Sequence, residues 1–413
     1  MSQRLYRISD EQLPHVLTHL AQAGGTSRSV ETWRQDRMTA LLLGRSDATS
    51  SPTAVMPISQ RRVQIAPGRS INAGWISSNQ FASRMGLRRQ TRSTAGDWPE
   101  LLPELDALLV VRRDEPSLAA RWYAQTGFHD VLNIRCLYLD MEQPPAGGGS
   151  RYHVQVCSVA DLPRWQEQML AVYREVYANS GGAVTRDVTF WQPALSNHFY
   201  REHYQFQVIG LWSDAGMEST AAPNATLMGY AVVGWSGWHS KRPRMDLLEL
   251  ATRQWDTAVA QELIQTASQL AWSKQVRQVR AVISVHDPYR GHLARTGFVD
   301  RWGYIMAAKW LHPQRYLDAL AERLPPEIAG LNVQLSAAGE VDLTLRVGSP
   351  TGQAIRVQAD ARTITRLLLN RVEVSAAVQD GTLLASDSPD RDFARLSHAF
   401  PWTPWVFHMA DYI

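Results

Sequence analysis

Trp122-Tyr123-Ala124-Gln125-Thr126-Gly127-Phe128-His129-Asp130 ends a short helical stretch, turns through a glycine and enters an apolar run. Just upstream, Ala107-Leu-Leu-Val-Val-Arg-Arg-Asp-Glu-Pro116 reads as a buried strand closed by acidic and proline punctuation. The same succession occurs again. Ala281-Val-Ile-Ser-Val-His-Asp-Pro288 is followed by Leu293-Ala-Arg-Thr-Gly-Phe-Val-Asp300. A triplet alone recurs by chance, but a triplet with matching flanks on both sides points to a duplicated fold. Thr126-Gly127-Phe128 and Thr296-Gly297-Phe298 are therefore expected at equivalent positions of two similar folds.

Outward from these motifs, two seams divide the chain. Pro144-Pro-Ala-Gly-Gly-Gly-Ser150 has the composition of a linker. A second joint falls near Leu311-His-Pro313 and Leu324-Pro-Pro326. The 413 residues then fall into segments 1–143, 151–310 and 314–413, each of ordinary domain size. In the second segment, Asp256 to Trp272 carries Val259, Leu263, Ile264, Ala267, Leu270 and Ala271 at helical spacing. Leu227 to Val233 reads as a strand. In the last segment, Val333–Leu335, Val341–Val347 and Ala354–Ala359 read as a strand meander, with Val341, Leu343, Leu345 and Val347 alternating with polar neighbours. Thr363–Leu369 reads as a short helix, so this module is α+β.

Composition narrows the class. Apolar residues make up 45% and charged residues 20%, which suits a globular chain. No apolar run reaches the ~18 residues of a membrane span, and the start lacks the apolar core of a signal peptide, so a cytoplasmic location is expected. A net charge of +3 gives no strong pull on nucleic acid. Cys136 and Cys157 cannot make a disulfide framework or a zinc site by themselves, and no His/Cys/Asp spacing marks a metal. His286-Asp287 has the look of a catalytic pair but sits at the strand end of the second repeat, and His408, near the terminus, is placed to assist a base; with twelve histidines in the chain, most are ordinary.

Strand, helix, then aromatic-x-x-x-Gly-Phe resembles the end of a GNAT domain, the superfamily that moves acyl groups from acyl-CoA to amines. Trp122-Tyr123-Ala-Gln-Thr-Gly127-Phe128 carries that resemblance. Thr363-Ile-Thr-Arg-Leu-Leu-Leu-Asn370, Gly381-Thr-Leu-Leu384, Asp387 and Ala394-Arg-Leu-Ser-His-Ala-Phe400 resemble the sterol-carrier-like C-terminal domain of Eis-type GNAT proteins. The resemblance implies an α+β chain of two GNAT-like folds and a sterol-carrier-like domain. Segment 1–143 would hold acetyl-CoA. Segment 151–310 would be a degenerate copy, in keeping with Met245-Asp-Leu-Leu-Glu-Leu-Ala-Thr-Arg-Gln-Trp-Asp256, which has no glycine-rich loop before its helix.

The family binds the CoA pyrophosphate on backbone N–H groups at a helix N-terminus, through Arg/Gln-x-x-Gly-x-Gly/Ala after a strand. The counterpart here runs from Ile76 through Ser78 to Ser83-Arg84-Met85-Gly86-Leu87-Arg88. Gly86 matches the first glycine, while Ser83 and Arg88 depart from the pattern. Arg84, Arg88 and Arg92 share one face of an expected Arg84–Thr94 helix, which suits phosphate oxygens or, alternatively, a solvated basic face. The thioester would lie between strands Asn72–Ser78 and Ala107–Arg112. The resemblance makes Tyr123 the general acid for the CoA thiolate and the carboxylate of Ile413 the base. The apolar ending Pro401-Trp-Thr-Pro-Trp-Val-Phe-His-Met-Ala-Asp-Tyr-Ile413 reads as a docked tail. The expected partner is an amine of a small molecule or of a peptide lysine, with no metal, no nucleic acid, no membrane span, and a homo-oligomer, hexameric by resemblance. The alternative is a catalytically inactive GNAT-fold relative, acting as a scaffold or binding an apolar ligand.

Overall fold

The computed structural model describes residues 4–22, 30–35, 38–44, 54–76, 98–146, 150–196, 204–213, 225–236, 243–337, 341–349, 354–385 and 390–411. They gather into two compact units. Unit 1 is Met1–Leu132 with Ile305–Pro404, and unit 2 is Asn133–Tyr304 with Trp405–Ile413.

The sheet of unit 1 begins with β1 (Arg4–Arg7), β2 (Met38–Gly44), β3 (Ala54–Ala66) and β4 (Arg69–Ile76), each antiparallel to the next. Gly68 turns β3 into β4 at φ +69°, a conformation that side chains resist. β5 (Ala107–Arg113) then pairs with β4 in parallel, from Ala73↔Ala107 to Ile76↔Val110. A parallel pair requires a crossover. Its described part includes Trp98–Leu101, whose Trp98 is fully buried against the core. The Asp106 carboxylate accepts the Asn72 N–H at 2.8 Å and so ties the start of β5 to the start of β4.

Unit 2 repeats this plan. It contains β6 (His129–Asp140, from Asn133 on), β7 (His153–Ser158), β8 (Tyr204–Trp212), β9 (Leu227–Ser236), β10 (Met245–Thr252) and β11 (Gln278–Ser284). β7 to β10 are again antiparallel neighbours, and β10 and β11 form the parallel pair. The crossover between them is the Thr257–Ser273 helix, within a residue of the periodicity's prediction; the Asp256 side chain caps it by accepting from the N–H groups of Ala258 and Val259. The last strand is exchanged between repeats. β6, which follows the first Thr-Gly-Phe, pairs antiparallel with β11 from Gln278↔Asp140 to Ser284↔Ile134. β12 (Val299–Trp310), which follows the second, lies beside β5 over its unit 1 residues from Ile305. The units therefore do not follow chain order.

The rest of unit 1 is a four-stranded sheet of β13 (Asn332–Ala337), β14 (Val341–Arg346), β15 (Ile355–Gln358) and β16 (Leu384–Ala385), in the order β14-β13-β15-β16. The alternation read from the sequence turns Leu343 and Leu345 inward. The helix expected at Thr363 begins earlier, at Ala361, because the Asp360 side chain accepts the Thr363 N–H and starts it. Among the described residues, no helix is long and apolar enough to cross a membrane.

Candidate active site

The two Thr-Gly-Phe triplets end two helices in the same way. The Leu118–Gln125 helix is capped at its start by Ser117, whose side chain accepts the Ala120 N–H. At its end, Thr126 N bonds to Trp122 O (3.0 Å), Gly127 N to Ala124 O (3.1 Å) and Phe128 N to Tyr123 O (2.9 Å). In the second copy, Thr296 N bonds to His292 O (3.0 Å), Gly297 N to Ala294 O (3.2 Å) and Phe298 N to Leu293 O (3.1 Å). Both glycines are left-handed, at φ +84° and +94°, the usual way to close a helix end. The bonding pattern puts Leu293 where the first copy has Tyr123. Duplication is thus kept in backbone geometry, while the phenol is not. Comparing the residues five before each Phe in the sequence would have shown this.

Tyr123 is 3% exposed. Its ring meets Trp122 at 5.0 Å and Phe128 at 5.1 Å between centroids, both edge-on. It belongs to one buried cluster with Ile76, Leu108, Val110 and Trp98. The last paired residues of β4 and β5 and the tyrosine helix therefore share a core. Of the residues expected at the pyrophosphate, Ile76 is among the described residues, fully buried at the end of β4. Ser78, Ser83, Arg84, Met85, Gly86, Leu87 and Arg88 lie outside the described residues, and so does Ile413.

In unit 2 the corresponding parallel strands part early. Their pairing runs from Met245↔Val279 to Leu247↔Ala281; beyond it β10 shifts register on β9 between Leu247 and Glu249. The tail of the chain enters this region. Ser284 Oγ donates to the Trp405 carbonyl, and Val406 N–H donates to Gly181 O at 2.9 Å. Gly182 sits at φ +78°, where any Cβ would strike the Val406 carbonyl oxygen. Phe407 and His408 line the space between β10 and β11 with Leu248, Leu250 and Ile283, leaving about 10 Å³ free, too little for more than about one water. The apolar tail is docked, as its composition predicted, and its described residues from Trp405 to Asp411 pack within unit 2.

Sequence reading missed the charge cluster that holds this tail. The fully buried Arg186 guanidinium donates to Glu249 Oε1 (2.7 Å) and to Asp411 Oδ1 (2.8 Å). Its carbon lies 4.0 Å from the Tyr173 ring centroid and 4.3 Å from that of Phe190. The Tyr230 hydroxyl donates to Glu249 Oε1 as well. Burial alone would raise the Glu249 carboxyl, but Arg186 holds it below the usual range. His408 is buried 4.5 Å from the Tyr177 ring centroid, and burial lowers its pKa, which favours the neutral ring. A signal existed: Glu249 in Leu-Leu-Glu-Leu-Ala and Asp411 in an apolar tail are charges in buried surroundings, which demand partners.

The same cavity lining includes Asp287, whose Oδ1 accepts the Tyr289 N–H at 2.9 Å. Burial pushes its carboxyl up to about 7. A folded pKa above the unfolded one gives stability that is present below about pH 4 and lost as pH rises through 7. His408 acts in the opposite sense, its contribution being lost as pH falls. Asp287→Asn keeps the acceptor for Tyr289. The variant should match the wild type near pH 4 and exceed it at pH 8, by up to about 4 kcal/mol. Melting curves across that range check this; a constant offset at all pH values would refute it.

Burial pushes the thiols of Cys136 up to about 11 and Cys157 to about 12, which favours the protonated, weakly nucleophilic form. Among the described residues no group of His, Cys, Asp and Glu could hold a metal.

No family model and no curated protein matches the sequence. Solved structures do match. A conserved protein from Enterococcus faecalis V583, described as a probable N-acyltransferase, is 13% identical with a TM-score of 0.66, over 98% of both chains. A GCN5-related N-acetyltransferase from Anabaena variabilis ATCC 29413 is 13% identical with a TM-score of 0.64, covering 98% of this chain and 99% of that one. Eis1 from Mycobacterium abscessus is 12% identical with a TM-score of 0.55, again over 98% and 99%. At these identities the likeness is one of fold: a mixed α/β GNAT acyltransferase fold along nearly the whole chain.

Proposed function

We propose that the protein is an N-acetyltransferase that takes acetyl-CoA as donor and an amine, of a small molecule or a lysine side chain, as acceptor. The observation that carries this reading is Tyr123. In a GNAT fold it stands on the helix packed with the ends of β4 and β5, where the other copy has Leu293. Bound acetyl-CoA supplies the activated acetyl group. The Tyr123 hydroxyl gives its proton to the leaving sulfur, and a phenol with a reference pKa near ~10 holds that proton at neutral pH. The Ile413 carboxylate takes the proton of the attacking amine. Its reference value of about 3.5 must be raised by burial for that work. Ile76, Ser78 and Ser83 through Arg88 are assigned to the donor's pyrophosphate. Unit 2, with its strand gap filled by Phe407 and His408, serves as the tail's anchorage rather than as a second active site.

A second reading is an inactive relative used as a scaffold or apolar-ligand binder. The 3% exposure of Tyr123 favours it, as do Ser83 and Arg88 in the cradle. Thermal-shift titration separates the two. A ligand bound to the native state alone stabilises by about 2.7 kcal/mol at a hundred times its Kd. Saturating acetyl-CoA should raise the melting temperature, and thiol should be released when an amine panel is added. No shift at millimolar acetyl-CoA would leave the scaffold reading.

A further inference from the structure

Unit 1 has a second cavity, a cleft of about 380 Å³ open to solvent on one side, between the β3–β4 hairpin and the Pro313–Ala321 helix. Small-molecule sites begin at about this size. Four guanidinium groups line it, those of Arg62, Arg69, Arg315 and Arg323, with one carboxylate, Asp106, and an apolar wall that includes Tyr316. The carboxylate is already used. Asp106 Oδ1 accepts from Arg315 Nη2 at 2.7 Å, and Oδ2 accepts the Asn72 N–H. Arg315 also gives its Nε–H to Asp106 Oδ1 and donates to the carbonyls of Pro103 and Leu105.

The other three cations are not neutralised by any carboxylate among the described residues. Arg69 is partly buried, and its Nη atoms reach the carbonyl oxygens of Ala399 (2.6 Å) and His398 (3.4 Å). Arg62 gives its Nε–H to Ser70 Oγ at 2.6 Å. Among the described residues, Arg62, Arg69 and Arg323 have no carboxylate partner. Three such groups around one cleft repel one another, and a multiply charged anion relieves that repulsion. Guanidinium forks match phosphate oxygens in geometry as well as in charge.

We propose that this cavity binds a small molecule carrying phosphate groups. The site is separate from the one assigned to the acyl donor. It lies at the starts of β4 and β5, near Asn72 and Asp106, whereas the donor's pyrophosphate is assigned to Ile76 at the end of β4 and to the residues beyond it. Four residues of strand separate Asn72 from Ile76, about 13 Å.

The probe is inorganic pyrophosphate, titrated calorimetrically into the full-length protein at low salt, with citrate as a parallel arm. The test variant is Arg62→Gln with Arg323→Gln. Both residues are exposed, so the fold should survive. Pyrophosphate should bind saturably, more weakly as salt rises, and at least about tenfold more weakly to the double variant, the size of one or more lost charge-assisted hydrogen bonds. The thermal shift given by acetyl-CoA should be the same in both proteins. The proposal is overturned if the wild type shows no saturable binding at millimolar pyrophosphate, or if the double variant binds it equally well. Equal affinity for citrate would overturn the phosphate specificity. Loss of the acetyl-CoA shift in the double variant would overturn the separateness of the site. Failure of acetyl-CoA to bind either protein would count against the acetyltransferase reading alone.

Discussion

Replacing Tyr123 by phenylalanine should lower acetyl transfer by about 10²- to 10⁴-fold, the usual worth of a positioned general acid. Binding of acetyl-CoA should change little. The ring stays, and with it the edge-on contacts to Trp122 and Phe128. Stability should therefore move by no more than about 1 kcal/mol, the scale of one hydrogen bond. A short extension after Ile413 should cause a similar loss, because it removes or displaces the proposed base. Tyr123→Phe combined with the extension should cost little more than either change alone if both groups serve one chemical step. Steady-state thiol release against a fixed amine measures all three proteins. Full turnover by Tyr123→Phe would make the tyrosine a core residue that closes the helix on the sheet, and the mechanism would fail.

The parts of this molecule that sequence made legible are local. Helix and strand periods, such as the apolar spacing from Val259 to Ala271, and the twin Thr-Gly-Phe endings all lie within a few residues of their causes. The likeness of the two copies could be read because their flanks match. The exchange of β6 and β12 could not, because alternation along a strand says which face is buried but not which neighbour it pairs with. The tail shows the same divide. Its composition announced docking, yet the surface that receives it is built from Gly181, Ser284 and Glu249, far away in the chain. Arg186 is separated from Glu249 by 63 residues and from Asp411 by 225, so no window of sequence contains the cluster.

That cluster sets the largest stability effect expected. Arg186→Ala would leave Glu249 and Asp411 buried without their cation, at a cost of about 3–5 kcal/mol. For a unit of this size the melting temperature should fall on the order of 10 °C. The pH dependence follows from the same geometry. With Arg186 present, Glu249 titrates below the ordinary carboxylate range, so its contribution persists above about pH 4 and is lost as pH falls through the lowered value. Without Arg186, burial is opposed chiefly by the Tyr230 hydrogen bond and raises the carboxyl. The deficit of the variant should therefore be largest near neutrality and shrink in acid, as protonation replaces the missing cation. Tail release has its own readout. Carboxypeptidase should trim the variant past Asp411 while the wild type resists, since Trp405 to Asp411 are buried. Replacing all three charges with apolar residues, Arg186→Met, Glu249→Leu and Asp411→Leu, should recover most of the loss, although Tyr230 would lose its acceptor. If Arg186→Ala melts like the wild type and its tail stays protected, then the packing of Trp405, Phe407 and Met409 holds the chain end by itself, and the charges do not anchor it.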